Sequence, residues 1–524
     1  MTRRDSPSFA PAFTPVTQCS AGSVSFGRFG TVWSSVVLAW TASPWHRLKG
    51  RNLENRVGQD GVKPRLDVEL DRDAAEPLFQ QIAGRIRAAI VTGHLAPGTR
   101  LPAARILAVQ LAVARGTVAA AYELLAGEGA IVTRRSAGTV ISGSGAKVHP
   151  GSTPFLFEPK EPIERPLPLA FRIGLPAMDE FPRKLWSNLT VHAARGAIPV
   201  DTDPAGLAAL RREVAAYLGV ARGIQCSPAD ILITGGYQGA LALVRSVLVG
   251  RGDSVWMEDP GYVMTRQALE ASGARIVPIR VDQDGLRVAS AIGAAPKAKL
   301  AVVTPTHQCP TGVALSLPRR LELLAWAAEA GAWVLEDDYD SEFRYTGRPL
   351  PPLKSLDRGH RVLYAGSFSK ILLPSLRLGY LVVPPELSDA FRRAAKLLTF
   401  GQPVLEQAVT AQFMQKGYFG RHIRRMRNLY GERRQALAAA LRQVFGTACS
   451  VEMAAGGMHL LARFTGRGSD AKLAKRALAA GLAPSALSSL AMAHDCGQGL
   501  LLSFTNIPVD QAEVMAGRLR SVVS

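Results

Sequence analysis

The densest set of reactive side chains in the sequence is Ser367-Phe368-Ser369-Lys370, with Arg377 following in Arg-Leu-Gly-Tyr. A lysine amine can hold an aldehyde cofactor as a Schiff base. Neighbouring hydroxyls and a guanidinium can grip that cofactor's phosphate, the guanidinium through paired N–H bonds. Ser-x-x-Lys alone also fits the acylated serine of penicillin-binding proteins, but that chemistry needs a Lys-Thr-Gly strand, which this sequence lacks. Upstream, Glu336-Asp337-Asp338-Tyr339-Asp340 follows the apolar run Trp333–Leu335. A carboxylate at the C-terminal end of a strand can keep a pyridine nitrogen protonated and so make the ring an electron sink. The same cluster also reads as an acidic loop or a metal site, although no His stands at ligand spacing. Farther upstream, Thr234-Gly235-Gly236-Tyr237-Gln238 lies where a strand passes into a helix, and its amides and helix dipole can cradle a phosphate. Glycine turns are common. Taken in this order, the three segments point to pyridoxal 5'-phosphate, and none does so singly.

The elements that must position these residues are legible as alternation. Apolar, strand-like runs at Ile231–Thr234, Ser254–Met257, Leu300–Thr304, Trp333–Glu336, Val362–Ala365 and Gly379–Val383 are separated by helical stretches. That order predicts a mostly parallel sheet covered on both faces. From about Phe400 a long basic helix precedes a smaller α+β unit. The body is read as 168–524, behind a Gly-, Ser- and Pro-rich linker at 143–167.

Residues 64–142 follow different rules. Leu78, Ile82, Ile86 and Ile90 recur every four positions up to Gly93, which predicts an amphipathic helix. Pro97-Gly98 marks a turn, and shorter helices are expected over about 103–111 and 116–127. Two β-prone segments, Ile131–Thr133 and Thr139–Ile141, flank a basic connection. Three helices and a hairpin make a winged helix-turn-helix, whose second helix enters the DNA major groove by its N-terminal residues. Those are Arg115, Gly116 and Thr117, and an Arg there can donate twice to guanine. Arg100 and Arg105 can pair with phosphates. Arg134 and Arg135 in the hairpin can reach phosphate or minor groove, beside a tight turn at Gly138-Thr139.

Bulk properties agree with this division. The chain has 524 residues, 47% apolar, with 62 Lys+Arg against 42 Asp+Glu, a formal charge of +20. Such a balance favours polyanions, though free use of Arg in a GC-rich genome gives the same figure. The five cysteines are scattered without CxxC spacing, which argues against disulfide frameworks and zinc and fits a reducing cytosol. No apolar run reaches the roughly 18–20 residues of a membrane span. The expected setting is the bacterial cytoplasm, on the nucleoid, with no metal and no membrane contact. Residues 1–63, with Trp33, Trp40 and Trp45 but no period, read as a poorly ordered extension or as a misassigned start, the latter favoured because no Met occurs between Met1 and Met178.

The stretch from Pro77 to Ser142 resembles the winged-helix domain of the GntR superfamily over its whole length. From about residue 168 the chain resembles fold-type-I aminotransferases, and the combination resembles the MocR-type regulators. Supporting segments are Asp203-Pro204-Ala205-Gly206, Glu258-Asp259-Pro260-Gly261-Tyr262, Thr304–Gly312 and His422–Arg427. The resemblance implies that Lys370 holds the cofactor, Asp337 pairs with its ring nitrogen, Tyr339 bonds its phenolic oxygen and Tyr262 stacks on it. Gly236, Tyr237, Gln238, Ser367, Ser369 and Arg377 would take its phosphate. Arg105, Arg115, Thr117 and the wing around Gly138-Thr139 would touch DNA.

Departures from these families matter as much. Ala103 and Ala114 stand where helix-capping Ser is usual, at a cost of about 1 kcal/mol each. The late strand Leu500-Leu501-Leu502-Ser503-Phe504 lacks the Arg that grips substrate carboxylate in aminotransferases. A Tyr usual before Asp-Pro-Ala-Gly is replaced by Asp201 or Thr202. The expectation is a homodimeric, ligand-sensing transcription regulator on paired DNA half-sites, its effector a small amine, an amino acid or pyridoxal phosphate itself. The alternative is an aminotransferase with a vestigial DNA-binding head.

Overall fold

The computed structural model describes residues 70–72, 74, 76–134, 138–142, 168–196, 202–466 and 468–523. Residues 1–63, the whole linker 143–167, Arg135 and Asp201 therefore lie outside the described residues. The chain forms two compact units, one ending at Phe157 and one beginning at Glu158.

In the first unit, α1 (Leu78–Val91), α2 (Ala104–Gln110) and α3 (Arg115–Gly127) precede β1 (Ile131–Arg134) and β2 (Gly138–Ile141). The four-residue recurrence does what its spacing implies: Ile82 and Ile86 are fully buried, together with Leu107, Val118, Leu125 and Ile131. The strands pair antiparallel with Ile131 opposite Ile141 and Arg134 opposite Gly138, one residue longer at the turn side than the β-prone segments indicate. Ala103 and Ala114 occupy the N-cap positions of α2 and α3, and neither helix has a side-chain cap. The C-terminal end of α2 is better served, because the Arg72 guanidinium donates to the Ala112 carbonyl at 2.8 Å. Tyr122 ties α3 to the start of α2 by donating to the Pro102 carbonyl at 2.8 Å.

The second unit is built on an eight-stranded sheet. Its strands are β3 (Ile231–Thr234), β4 (Ser254–Asp259), β5 (Arg275–Asp282), β6 (Gly285–Leu286), β7 (Leu300–Val303), β8 (Trp333–Asp338), β9 (Val362–Ser367) and β10 (Gly379–Val382). Their order is β3-β10-β9-β8-β7-β4-β5-β6. The run β9-β8-β7-β4-β5 is parallel, whereas β10 is antiparallel to both β3 and β9. Alternate residues serve two apolar layers. Leu335, Leu363 and Leu381 pack with the helix Gly236–Leu248, while Val334, Val362 and Ala301 pack with the helix Leu317–Glu329. The last part forms a four-stranded antiparallel sheet from β11 (Cys449–Glu452), β12 (His459–Phe464), β13 (Ser485–Ala486) and β14 (Leu500–Ser503).

Strand β5 has no counterpart among the runs read from sequence. Its Pro278 breaks the pattern that marks a strand, yet it sits opposite Met257 near the sheet edge, where a missing N–H is tolerated. Among the described residues no helix is long and apolar enough to cross a membrane, and no three His, Cys, Asp or Glu are grouped to hold a metal ion.

Candidate functional site

Three consecutive carboxylates end β8, and strand alternation separates them. Glu336 and Asp338 point to one face, and both are satisfied there. Glu336 accepts from the Leu353 and Lys354 amides at 2.8 and 2.7 Å. Asp338 pairs with Arg222 at 2.5 Å and accepts the Tyr364 hydroxyl at 2.5 Å. Asp337 lies on the other face, buried, and among the described residues no hydrogen bond or ion pair reaches its carboxylate. Burial, reinforced by the charge of Asp338, pushes its carboxyl well above the ordinary range, and the Lys370 ammonium opposes that rise. A buried carboxylate without a partner is costly and calls for a cationic one.

Lys370 supplies the complementary group. Ser367 ends β9, and the turn that follows sends the lysine into the interior, where Nζ donates to the Gly174 carbonyl at 2.7 Å. Gly174 has φ +75°, and a Cβ there would lie 2.9 Å from Nζ, so only glycine leaves room for this approach. Burial lowers the Lys370 pKa, offset in part by Asp337, Cys309 and Asp340. A lysine poised toward its neutral form is the nucleophile that a carbonyl requires.

Beside Asp337 lies a small cavity lined also by Tyr237, Glu258, Gly261, Tyr262, Thr304 and Cys309. Tyr262 is partly exposed, its ring tilted 58° to Tyr237 at 6.2 Å. The Tyr237 hydroxyl and Thr265 Oγ1 are 2.9 Å apart. Glu258 accepts from the Thr304 amide and hydroxyl, and burial pushes its carboxyl up to about 7.

The phosphate-binding candidates converge on the N-terminus of the helix Gly236–Leu248, which has no side-chain cap. Gly236 has φ +71°, and a Cβ there would meet only Ser369 Oγ, at 4.0 Å. The Ser369 amide donates to Ser367 Oγ at 3.2 Å. Gln238 Nε2 is buried without a partner. Arg377 adopts a left-handed conformation, φ 49° and ψ 37°, uncommon for a non-glycine residue, and its exposed guanidinium makes no hydrogen bond. An uncapped helix end, an orphan amide, an open glycine and an unpaired Arg fit a phosphate. The free carboxylate and the buried amine fit a pyridinium and an aldehyde. The residues present therefore fit pyridoxal phosphate.

Tyr339 stands apart from the simplest expectation, because its hydroxyl lies 3.0 Å from His307 Nδ1. Sequence reasoning quoted His307 within a segment but gave it no role, and it overlooked Gly174. Their signals were faint, a Gly before Leu-Pro and a His before Gln-Cys-Pro. On β14, Leu500 and Leu502 join the main core, whereas Leu501 packs with Leu461, Leu487, Leu490 and the partly buried Ile173 and Val263.

In the first unit, Arg105 and Arg115 are exposed and make no hydrogen bond, and Thr117 is half-buried one turn from the start of α3. The Arg100 guanidinium lies against the wing, 3.0 Å from where a Gly138 Cβ would be, and Gly138 has φ +74°. Thr139 Oγ1 is 3.4 Å from Thr133 Oγ1. Arg134 pairs through its backbone with Gly138, and Arg135 lies outside the described residues.

Comparison with known proteins agrees with both halves. Residues 177–492 match the family model "Aminotransferase class I and II", and residues 78–141 match "Bacterial regulatory proteins, gntR family". The chain is 36% identical to the probable rhizopine catabolism regulatory protein MocR of Rhizobium meliloti, over 84% of this chain and 92% of that one. It is 33% identical to the pyridoxine biosynthesis transcriptional regulator PdxR of Corynebacterium glutamicum, over 72% and 81%. Among solved structures, the α-aminoadipate aminotransferase LysN of Thermus thermophilus, complexed with N-(5'-phosphopyridoxyl)-L-leucine, superposes with a TM-score of 0.62 at 28% identity, covering 68% of this chain and 92% of that chain. The aminotransferase fold and this phosphopyridoxyl-bearing neighbour make pyridoxal phosphate the cofactor of the body. With a gntR-type winged helix joined to a class I and II aminotransferase body, the chain belongs to the MocR-type transcription regulators.

Proposed function

We propose that the body (168–524) senses a small ligand through pyridoxal phosphate, and that the head (64–142), carried on the linker 143–167, reads DNA in response. The observation that carries this reading is the presence together of a Lys370 amine whose pKa burial lowers and a buried Asp337 carboxyl that takes no hydrogen bond among the described residues, in a chain whose head presents Arg105 and Arg115 to solvent. Bound pyridoxal phosphate supplies a carbonyl that exchanges between the lysine and an incoming amine, and a ring that withdraws electrons. Lys370 would hold that carbonyl, Asp337 the ring nitrogen, and Tyr339 the phenolic oxygen, with Tyr262 against the ring. Gly236, Tyr237, Gln238, Ser367, Ser369 and Arg377 would hold the phosphate. Arg115 and Thr117 would read bases, while Arg100, Arg105, Arg134, Arg135 and the wing at Gly138-Thr139 would hold phosphates.

The apolar surroundings of Leu501 favour regulation over turnover, since a leucine cannot hold a substrate carboxylate in a productive pose. The effector is then an amine, an amino acid held by other groups, or the cofactor itself. Assembly as a homodimer would give two heads and paired half-sites. Ligand control requires unequal affinity for two arrangements of the dimer. The test is binding to DNA upstream of the chain's own gene, measured across salt concentrations, with and without pyridoxal phosphate and amines. Sequence-specific, salt-sensitive binding that shifts with ligand is expected. Ligand-independent binding, or sustained transamination at ordinary enzyme rates, would overturn the reading. Replacing Lys370 with Ala should abolish the visible absorbance of lysine-bound cofactor altogether.

A further inference from the structure

His307 is buried two residues before Cys309, which lines the cavity, and one of its nitrogens is asked to serve two neighbours. Nδ1 lies 3.1 Å from Asp340 Oδ1 and 3.0 Å from the Tyr339 hydroxyl. Nε2, on the other side of the ring, is buried and has no partner. Two glycines close over that side. A Cβ at Gly312 would lie 3.0 Å from Nε2, and one at Gly457 would lie 2.5 Å from it; both have positive φ. The nearby His459 is occupied elsewhere, its Nε2 being 2.9 Å from the Pro310 carbonyl.

These contacts decide where the imidazole proton sits. An ionised carboxylate only accepts, so a bare Nδ1 lone pair facing Asp340 is repelled, whereas Nδ1–H is attracted. A proton on Nε2 would be an orphan donor sealed behind Gly312 and Gly457, and an unprotonated Nε2 costs less there. Both arguments select the neutral Nδ1–H form. With that proton directed at Asp340 and shared with the Tyr339 oxygen, the Tyr339 hydroxyl finds no acceptor on His307. Its own proton is left to point elsewhere. The groups whose charges act on Tyr339 are Asp340, Cys309, Asp337 and Glu258, and three of these line the cavity.

We propose that His307, held as the Nδ1–H form by Asp340, is a positioning residue that turns the Tyr339 hydroxyl into a donor toward the cofactor cavity. The proposal rests on the cofactor reading above for its consequence, but not for its geometry. It can therefore be tested in two parts. In cofactor-free, full-length protein labelled with nitrogen-15 histidine, the His307 signals should report Nδ1–H, and Asp340→Asn should move them toward Nε2–H. A wild-type Nε2–H signature would overturn the proposal even if the cofactor binds normally.

The second part follows the visible band of added pyridoxal phosphate through a pH titration. Tyr339→Phe should shift the midpoint, and His307→Phe should shift it in the same direction by roughly half a unit or more. The double variant should go no further than Tyr339→Phe alone, and His307→Asn, which retains an N–H near the Nδ1 position, should recover most of the wild-type midpoint. A wild-type midpoint in His307→Phe, or additive shifts in the double variant, would overturn the proposal. Failure of every variant and of wild type to develop a band would instead strike the cofactor reading.

Discussion

The body and the head both display polar groups without partners, yet those groups mean different things. In the body, Arg222 is paired with Asp338 and Glu336 with two amides, whereas Asp337 takes no hydrogen bond among the described residues and Gln238 Nε2 is buried without a partner. In the head, Arg105 and Arg115 are equally unmatched, but water solvates them at no cost. An orphan group is informative in proportion to what its isolation costs. At the cofactor site the buried orphans add an energetic argument to the motifs, whereas the DNA-reading surface depends on the winged-helix arrangement and the family match.

Breaking the body's internal matching should have the largest effect. Arg222→Met leaves Asp338 buried and unpaired beside Tyr364, and is expected to lower stability by about 3–5 kcal/mol in chemical denaturation. Arg222→Met with Asp338→Leu should recover a good part of that loss. Breaking the head's readout costs less. Arg115→Ala should weaken specific DNA binding by about 1–3 kcal/mol and relax base preference at one position, while Arg105→Ala should weaken all sequences alike and reduce the salt slope by about one. A cap restored by Ala114→Ser should stabilise the head by roughly 1 kcal/mol, read as a rise in its own unfolding transition.

A separate prediction concerns acidity. Burial pushes the Glu258 and Glu336 carboxyls up to about 7 in the folded body. The folded state thus holds protons that the unfolded state releases near its ordinary value of 4.5. Stability from these groups is present below about 4.5 and is lost as pH rises through about 7. Glu258→Gln should flatten this decline between pH 5 and 7, as measured by denaturation at several pH values. A slope identical to wild type would show that Glu258 titrates normally.

Much of this was legible in the sequence because it is local. The runs that became β3, β4, β7, β8, β9 and β10 announce themselves by composition, and the carboxylates close β8 while the lysine follows β9. What was not legible is tertiary. Gly174 reaches Lys370 from 196 positions away, and no local pattern states that its carbonyl holds the amine. The contacts of His307 with Tyr339 and Asp340, which lie just beyond β8, are likewise tertiary. Strand β5 was hidden by Pro278, a residue that argues against strands except near an edge. In the smaller sheet only β14 is legible, as the late apolar run from Leu500, while β11 and β13 are only four and two residues long.

One consequence of the three carboxylates at the end of β8 belongs to genetics rather than energetics. Odd and even positions of that strand serve opposite sides of the sheet, so the strand behaves as a parity code. Deleting one residue between Trp333 and Glu336 would leave composition almost untouched and preserve every motif, yet it would exchange the free carboxylate for a committed one. Point substitutions here can be graded; a change of frame within the strand cannot.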